Sequence, residues 1–202
     1  MEKIAIIGAG GFAREVLTLI NAINSNTPQY EVIGFVGEDK SQPVHGYPVI
    51  GNDDEVNLTQ EPLSIVIAVG EPGLKAKIRG KYNNPLISFP TLVHPSVILG
   101  DKESIKTGQG CIICAGCILT TDINIKDFVT LNLQCTVGHD TIIKDYSSFM
   151  PSCNISGEVN ISEGVYCGTG VKIINLTSIG EYTTVGAGAV VTKPLPAKCT
   201  AV

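Results

Sequence analysis

Residues 111–143 read CIICAGCILTTDINIKDFVTLNLQCTVGHDTII, and the apolar residues in this stretch recur at an interval that neither a helix nor an extended strand produces. Every sixth residue from Ile113 gives Leu119, Ile125, Leu131, Val137 and Ile143, and the frame continues through Phe149, Ile155, Ile161, Cys167, Ile173, Ile179, Val185 and Val191. All are apolar in a chain that is 44% hydrophobic, an outcome with a chance probability on the order of 10⁻⁴ over six frames, so the period is structural. Two residues before each stands a small or β-branched residue, from Cys111, Cys117, Ile123 and Val129 to Thr183 and Ala189. Two inward positions in every six describe a short strand followed by a turn. Three such units close a triangular coil, the hexapeptide-repeat β-helix. The frame runs unbroken from 111 to 191, which predicts that no loop leaves the coils. Upstream, VILGDKESI reads as an earlier coil offset by two residues, with the slip expected near Gly108–Gly110.

The same frame accounts for the cysteines. The chain has seven, and Cys111, Cys117, Cys135, Cys153 and Cys167 all fall on inward positions, where cysteine serves as a small buried residue. Cys111, Cys114 and Cys117 are spaced by three, but no Cys-x-x-Cys is joined to histidines at zinc-site spacing, and no metal site is expected. Of the three histidines only His139 lies within the repeats, so a three-histidine zinc enzyme on this scaffold is not expected.

Outward from the repeats, toward the N-terminus, the pattern changes to alternating strands and helices. KIAIIG (Lys3–Gly8), EVIGFVG (Glu31–Gly37) and LSIVIAVG (Leu63–Gly70) are apolar runs closed by glycine. Between the first two, Phe12, Val16, Leu19, Ile20 and Ile23 recur at helical spacing, and a second helix is expected from Gly73 to Tyr82. This βαβαβ order predicts a small Rossmann-like parallel sheet with right-handed crossovers. The domain boundaries are placed at 1–90 and 91–202.

GAGGFARE, at the first strand-to-helix turn, offers Gly8, Gly10 and Gly11 as a backbone cradle for an anion beside a helix N-terminus. It departs from the dinucleotide fingerprint, which wants glycine where Ala13 stands. A tight turn without a ligand is the alternative reading. The ends of parallel strands converge on one edge, so Gly8, Glu38, Asp39 and Gly70 are candidates for holding a nucleotide-containing molecule. Glu38 and Asp39 follow the second strand, where acids accept hydrogen bonds from a ribose or base, although surface solvation explains them equally well.

The net charge of −5, with 14 scattered Lys and Arg, argues against a nucleic-acid partner. No apolar stretch reaches the roughly 20 residues needed to cross a bilayer, and glycines interrupt the N-terminus too early for a signal peptide. Membrane insertion is not expected, and a cytoplasmic location is. Exposed apolar residues such as Leu133, Met150 and Ile174 on the outer faces point to packing against other copies.

Five segments in this order, IAIIGAGGFAREV, GFVGEDK, HPSVILG, NLQCTVGHD and SIGEYTTVGAGAVVTKPLP, resemble the bacterial sugar N- and O-acyltransferases of the sialic acid O-acetyltransferase type. That family includes the N-acetyltransferases of nucleotide-linked amino sugars and belongs to the hexapeptide-repeat superfamily. The resemblance covers nearly the whole chain. It implies a nucleotide-sugar-binding α/β domain, a left-handed β-helix, a homotrimer with intersubunit active sites, and acetyl-CoA as acyl donor. It makes His139, followed by Asp140 and preceded by Asn132, the catalytic group. It assigns Gly157 and the run Gly186, Ala187 and Gly188 to CoA. Two departures stand out: many relatives carry histidine where this chain has Phe12, so a different glycine-loop contact to the sugar nucleotide is expected, and relatives usually continue past PLPAKCTAV into a Gly-x-Pro-Ala-Lys tail, so fewer CoA contacts are expected.

The residue chemistry agrees with the resemblance. In the repeat frame Val137 points inward, and His139 with Asp140 occupies the turn, so both side chains project outward. An amine or hydroxyl attacking a thioester must lose a proton, which an imidazole can accept at neutral pH while a neighbouring carboxylate orients it. The carbonyl becomes an oxyanion, and backbone N–H groups at small-residue corners are the donors at hand. His45 and His94 read as loop and linker residues. The expected activity is acetyl transfer to the amino group of a nucleotide-linked amino sugar in bacterial surface-glycan biosynthesis. Sugar O-acetylation and a non-catalytic scaffold trimer are the alternatives.

Overall fold

The computed structural model describes residues 1–202. By compactness the chain divides into two units, Met1–Gly70 with Leu74–Pro90, and Thr91–Val202 with Glu71–Gly73.

In the first unit, β1 (Glu2–Ile7) lies between β2 (Tyr30–Val36) and β4 (Leu63–Ile67) in a sheet of order β3-β2-β1-β4-β5, all parallel. Ile4, Ala5, Ile6 and Ile7 are buried without alternation, as is the whole of β4, because a parallel sheet is covered on both faces. α1 (Gly11–Asn26) buries Ala13, Val16, Leu17, Ile20 and Ile23, one stripe of a 3.6-residue period. α3 runs from Pro72 to Arg79, three residues shorter at its C-terminal end than the spacing predicts. Pro72 suits a first-turn position, and Gly80 follows the last helical residue. Periodicity missed β3 (Val49–Gly51), α2 (Asp53–Val56) and β5 (Ile87–Ser88), all too short to show a period. α2 nevertheless has a legible cue, the reciprocal Asn52/Glu55 capping box.

Eighteen two-residue strands follow, from Leu92–Val93 to Thr200–Ala201, in three parallel sheets. From Lys106 to Val191 each pairs with a strand eighteen residues away, as Thr130 with Ser148, Thr136 with Asn154 and Asn124 with Ile142. One coil is therefore three hexapeptides, in the left-handed parallel β-helix expected. The frame's inward residues from Ile113 to Val191 are all buried and form one column of core. Of their partners two residues earlier, only Ala189 is less than fully buried.

The slip is not at Gly108–Gly110. Ile98 pairs with Ile118, twenty residues on, whereas Lys106 already pairs with Asn124, so the two extra residues lie between Leu99 and Lys106. There Asp101 builds a turn, its carbonyl accepting from Ser104 N at 3.2 Å and its Oδ1 from Glu103 N at 3.2 Å.

The corners impose a conformation that the repeat frame did not reveal. Every sixth residue from Gly110 to Gly188 has φ between +52° and +76°, including Asp122, Asp140 and Leu176, which are not glycine. The inward cysteines, serines and threonines also do more than fill space. Cys117 Sγ donates to Asn132 O at 3.1 Å, Thr141 Oγ1 to Ser156 O at 3.1 Å, Ser147 Oγ to Ser162 O at 3.0 Å and Cys153 Sγ to Gly168 O at 3.2 Å. Each caps a carbonyl turned inward at a corner of the next coil, which explains side chains that are small yet carry a donor.

Candidate active site

His139 and Asp140 form the corner between the strands Thr136–Val137 and Ile142–Ile143. Both side chains project outward as expected, 55% and 60% exposed, and His139 Nδ1 meets Asp140 Oδ2 at 2.8 Å. Asp140 holds φ at +57°, a conformation that aspartate tolerates better than most residues, and its carboxylate thereby reaches back to its own neighbour. With Nδ1 engaged by a carboxylate, the proton sits there and Nε2 is left as the acceptor.

The residue eighteen positions on is Gly157, one coil above. A Cβ placed on it would lie 2.5 Å from His139 Nε2, so only glycine leaves room for the imidazole. Gly138 is equally constrained, because a Cβ there would lie 2.5 Å from the Gly157 nitrogen. Glu158 N donates to His139 O at 2.8 Å and ties the two corners together. Below Asp140 stands Asp122, whose Oδ2 accepts from Thr121 Oγ1 at 3.0 Å. Asp122, Lys106, Asn124, Asp140 and Ile142 border a cleft of about 430 Å³.

Asn132 and the Gly186–Gly188 run lie on a different edge of the prism, the one that carries the corners Leu133–Gln134, Pro151–Ser152 and Ala187–Gly188. Asn132 is buried, and its Oδ1 accepts from Leu133 N at 2.7 Å. No hydrogen bond joins it to His139 within the chain. On the same edge Ala187 and Gly188 are exposed, and nothing lies within 4 Å of where a Gly188 Cβ would be.

In the first unit the candidate residues gather at the C-terminal edge of the sheet. Gly8 N donates to Val36 O at 3.1 Å and Ala68 N to Ile7 O at 3.0 Å, so the turns after β1, β2 and β4 are neighbours. Gly8 has φ +105°, and a Cβ there would come within 3.3 Å of the Ala68 carbonyl oxygen, so the position favours glycine. Gly10 caps α1 with no side chain and faces open space, leaving the leading amides of Gly11, Phe12 and Ala13 available to an anion. Phe12 is half-buried. Glu38 and Asp39 are exposed in the loop after β2, and Gly70 follows β4. Hydrogen bonds from Ser41, one from its amide at 2.8 Å, hold the Asp39 carboxyl below the usual carboxylate range.

Residues 3–82 match the family model of the PglD N-terminal domain. A GDP-perosamine N-acetyltransferase of Escherichia coli is 27% identical over 175 residues, 86% of this chain and 78% of that protein. The acetyltransferase domain of PglB from Neisseria gonorrhoeae superposes with a TM-score of 0.90 at 30% identity, over 99% of this chain and 96% of that one. The chain belongs to the bacterial sugar acetyltransferases of the hexapeptide-repeat type. Another member, PerB from Caulobacter crescentus, solved with CoA and GDP-perosamine, superposes with a TM-score of 0.89 at 29% identity, over 99% and 93% of the two chains.

For this acetyltransferase, sequence reasoning placed the histidine and its acid together on a corner and assigned Gly157 to CoA, but did not show that Gly157 seats the ring, nor that Asp122 and Lys106 border the cleft that Asp140 borders. The signal was present: Gly157 stands one coil after His139, and Asp122 one coil before Asp140. A period of six shows which residues face inward. The coil length of eighteen shows which outward residues touch.

Proposed function

We propose that the protein transfers the acetyl group of acetyl-CoA to the amino group of a nucleotide-linked amino sugar, with His139 as general base, as a step in bacterial surface-glycan biosynthesis. The observation that carries this reading is the His139 ring, held at Nδ1 by Asp140 at 2.8 Å and seated on Gly157 with Nε2 unpartnered. Nε2 takes the proton released by the attacking amine as the acyl C–N bond forms. When the thioester C–S bond breaks, His139 returns that proton and the sulfur leaves as a thiol. Gly157 N–H has no acceptor in the chain and lies beside the ring, where the thioester oxygen gains charge.

The Gly186–Gly188 edge fits CoA because an exposed backbone without side chains admits a narrow arm. The glycine turn at the head of α1 fits the nucleotide diphosphate. His139 and Gly157 occupy one edge of the prism, and Asn132 and Gly186–Gly188 another. A homotrimer that apposes these two edges of neighbouring chains would complete the site, and this separation supports the intersubunit reading. The relatives solved with CoA, acetyl coenzyme A and GDP-perosamine agree with this substrate pair. Free-thiol release from acetyl-CoA, measured with nucleotide-linked amino sugars, their hydroxyl counterparts and free sugars, tests it. Turnover with the hydroxyl sugars alone makes the enzyme an O-acetyltransferase, and no turnover with any acceptor leaves only a scaffold.

A further inference from the structure

We propose that the cleft of about 430 Å³ bordered by Asp140 is the seat of the acceptor's sugar ring, and that Asp122 determines which sugar it accepts. The inference deepens the acetyltransferase reading and rests on it.

The cleft follows from the coil length. Lys106, Asn124 and Ile142 occupy paired positions on three successive strands and form an outward ladder up one face. Adjacent strands lie about 4.8 Å apart, so the three side chains span a width of about 10 Å. Beside this ladder, at the adjoining corner, Asp122 and Asp140 stand one above the other, also one coil apart. Asp140, which borders the cleft, is also the carboxylate bonded to His139, so the cleft and the proposed base share one residue.

The lining has the chemistry of a hydroxyl-bearing ring. Lys106 can only donate, Asp122 can only accept, and Asn124 can do both, which together match the mixed donors and acceptors of sugar hydroxyls. Ile142, 39% exposed, offers an apolar patch to the C–H face of a pyranose. The Lys106 ammonium makes no ion pair, and the side-chain amide of Asn124 has no hydrogen-bond partner in the chain, its backbone N–H alone being engaged, by Thr141 O at 2.9 Å. Asp122 is held in place. Its amide donates to Ser104 Oγ at 2.8 Å, that hydroxyl meets Thr121 Oγ1 at 3.0 Å, and Thr121 Oγ1 donates to Oδ2, leaving Oδ1 uncommitted. A short chain of hydroxyls thus fixes the Asp122 carboxylate, with one oxygen free, at the border of a polar cleft of ligand size. His139 needs none of these groups, and no core position uses them.

Calorimetry on the CoA-loaded protein tests the assignment. GDP-, UDP- and dTDP-linked amino sugars are titrated, each against its bare nucleoside diphosphate, into native protein and into Asp122→Asn. Asparagine keeps the shape and the tolerance for positive φ while removing the charge. The expected result is at least a tenfold weaker affinity for the sugar nucleotide, unchanged affinity for the bare diphosphate, and a higher acceptor KM at nearly constant kcat. Lys106→Met should act in the same direction. Equal affinity of native and Asp122→Asn protein for the sugar nucleotide overturns the subsite while leaving the acetyltransferase reading intact. A fall in kcat at constant acceptor KM also overturns it, because Asp122 would then act only through Asp140. If the native protein binds none of the three sugar nucleotides, the acetyltransferase reading fails and takes the subsite with it.

Discussion

The imidazole of His139 lies against the α-carbon of Gly157 so closely that no side chain fits between them: a Cβ on Gly157 would fall 2.5 Å from Nε2 and 2.6 Å from Cε1. Gly157→Ala should therefore push the ring off its seat and disturb its 2.8 Å contact with Asp140. We expect kcat to fall by roughly 10²-fold, the cost of misplacing a reacting group by about 1 Å, with KM for acetyl-CoA nearly unchanged. The opposite split, a raised KM at constant kcat, would make Gly157 a CoA contact and nothing more.

His139→Ala should lower kcat by roughly 10²–10⁴ while the assembly and the acetyl-CoA KM persist. The side chain is half exposed and adds nothing to the buried column formed by Val137 and Ile143. Asp140→Asn should cost about tenfold, because orientation of the ring is weakened while the corner keeps a residue that tolerates φ +57°. The acidic limb of the pH–rate profile should vanish in the alanine variant. An alanine variant that keeps more than about a third of wild-type kcat would make His139 a bystander.

Gly10→Val tests the nucleotide cradle in the first unit. Nothing lies within 4 Å of the added side chain's first atom, and φ of −81° suits valine, so the fold should be retained. Binding of a sugar nucleotide, followed by calorimetry, should weaken because the side chain stands before the first amides of α1. CoA binding should not change. Loss of both would indicate misfolding, and loss of neither would leave the glycines a simple turn.

Leu176 holds φ at +58° on a corner while 68% exposed, so its leucine side chain carries the backbone cost without burial in return. Leu176→Gly should stabilise the protein by about 1 kcal/mol, raising Tm by about 2–4 °C in thermal denaturation. A lower Tm would mean that another chain covers Leu176 in the assembly.

Light scattering at micromolar concentration should give the mass of three chains. Leu133, at a corner of the prism, and Ile174, after the strand Lys172–Ile173, are 42% and 39% exposed, and Leu133→Asp should shift the population toward monomer. A native monomer would remove the intersubunit site.

The sequence alone determined which side chains face inward along the β-helix, because inward position repeats every six residues and depends only on the local strand and turn. The same holds for the buried faces of β1, β4 and α1, and for the exposure of His139 with Asp140. The strands β3 and β5 and the helix α2 escaped because they are too short for any period to register. The slip was misplaced for a related reason. An offset of two residues shows that a turn has opened, but the Asp101 turn at residues 100–105 declares itself only through its hydrogen bonds and strand pairing. Tertiary structure alone decided that Gly157 seats His139, that Asp122 lies beneath Asp140, and that Asn132 belongs to another edge from His139. These relations join residues on successive coils or separate neighbours around one coil. They are set by strand register and by the closing of three strands into a prism, and neither acts between residues adjacent in the chain.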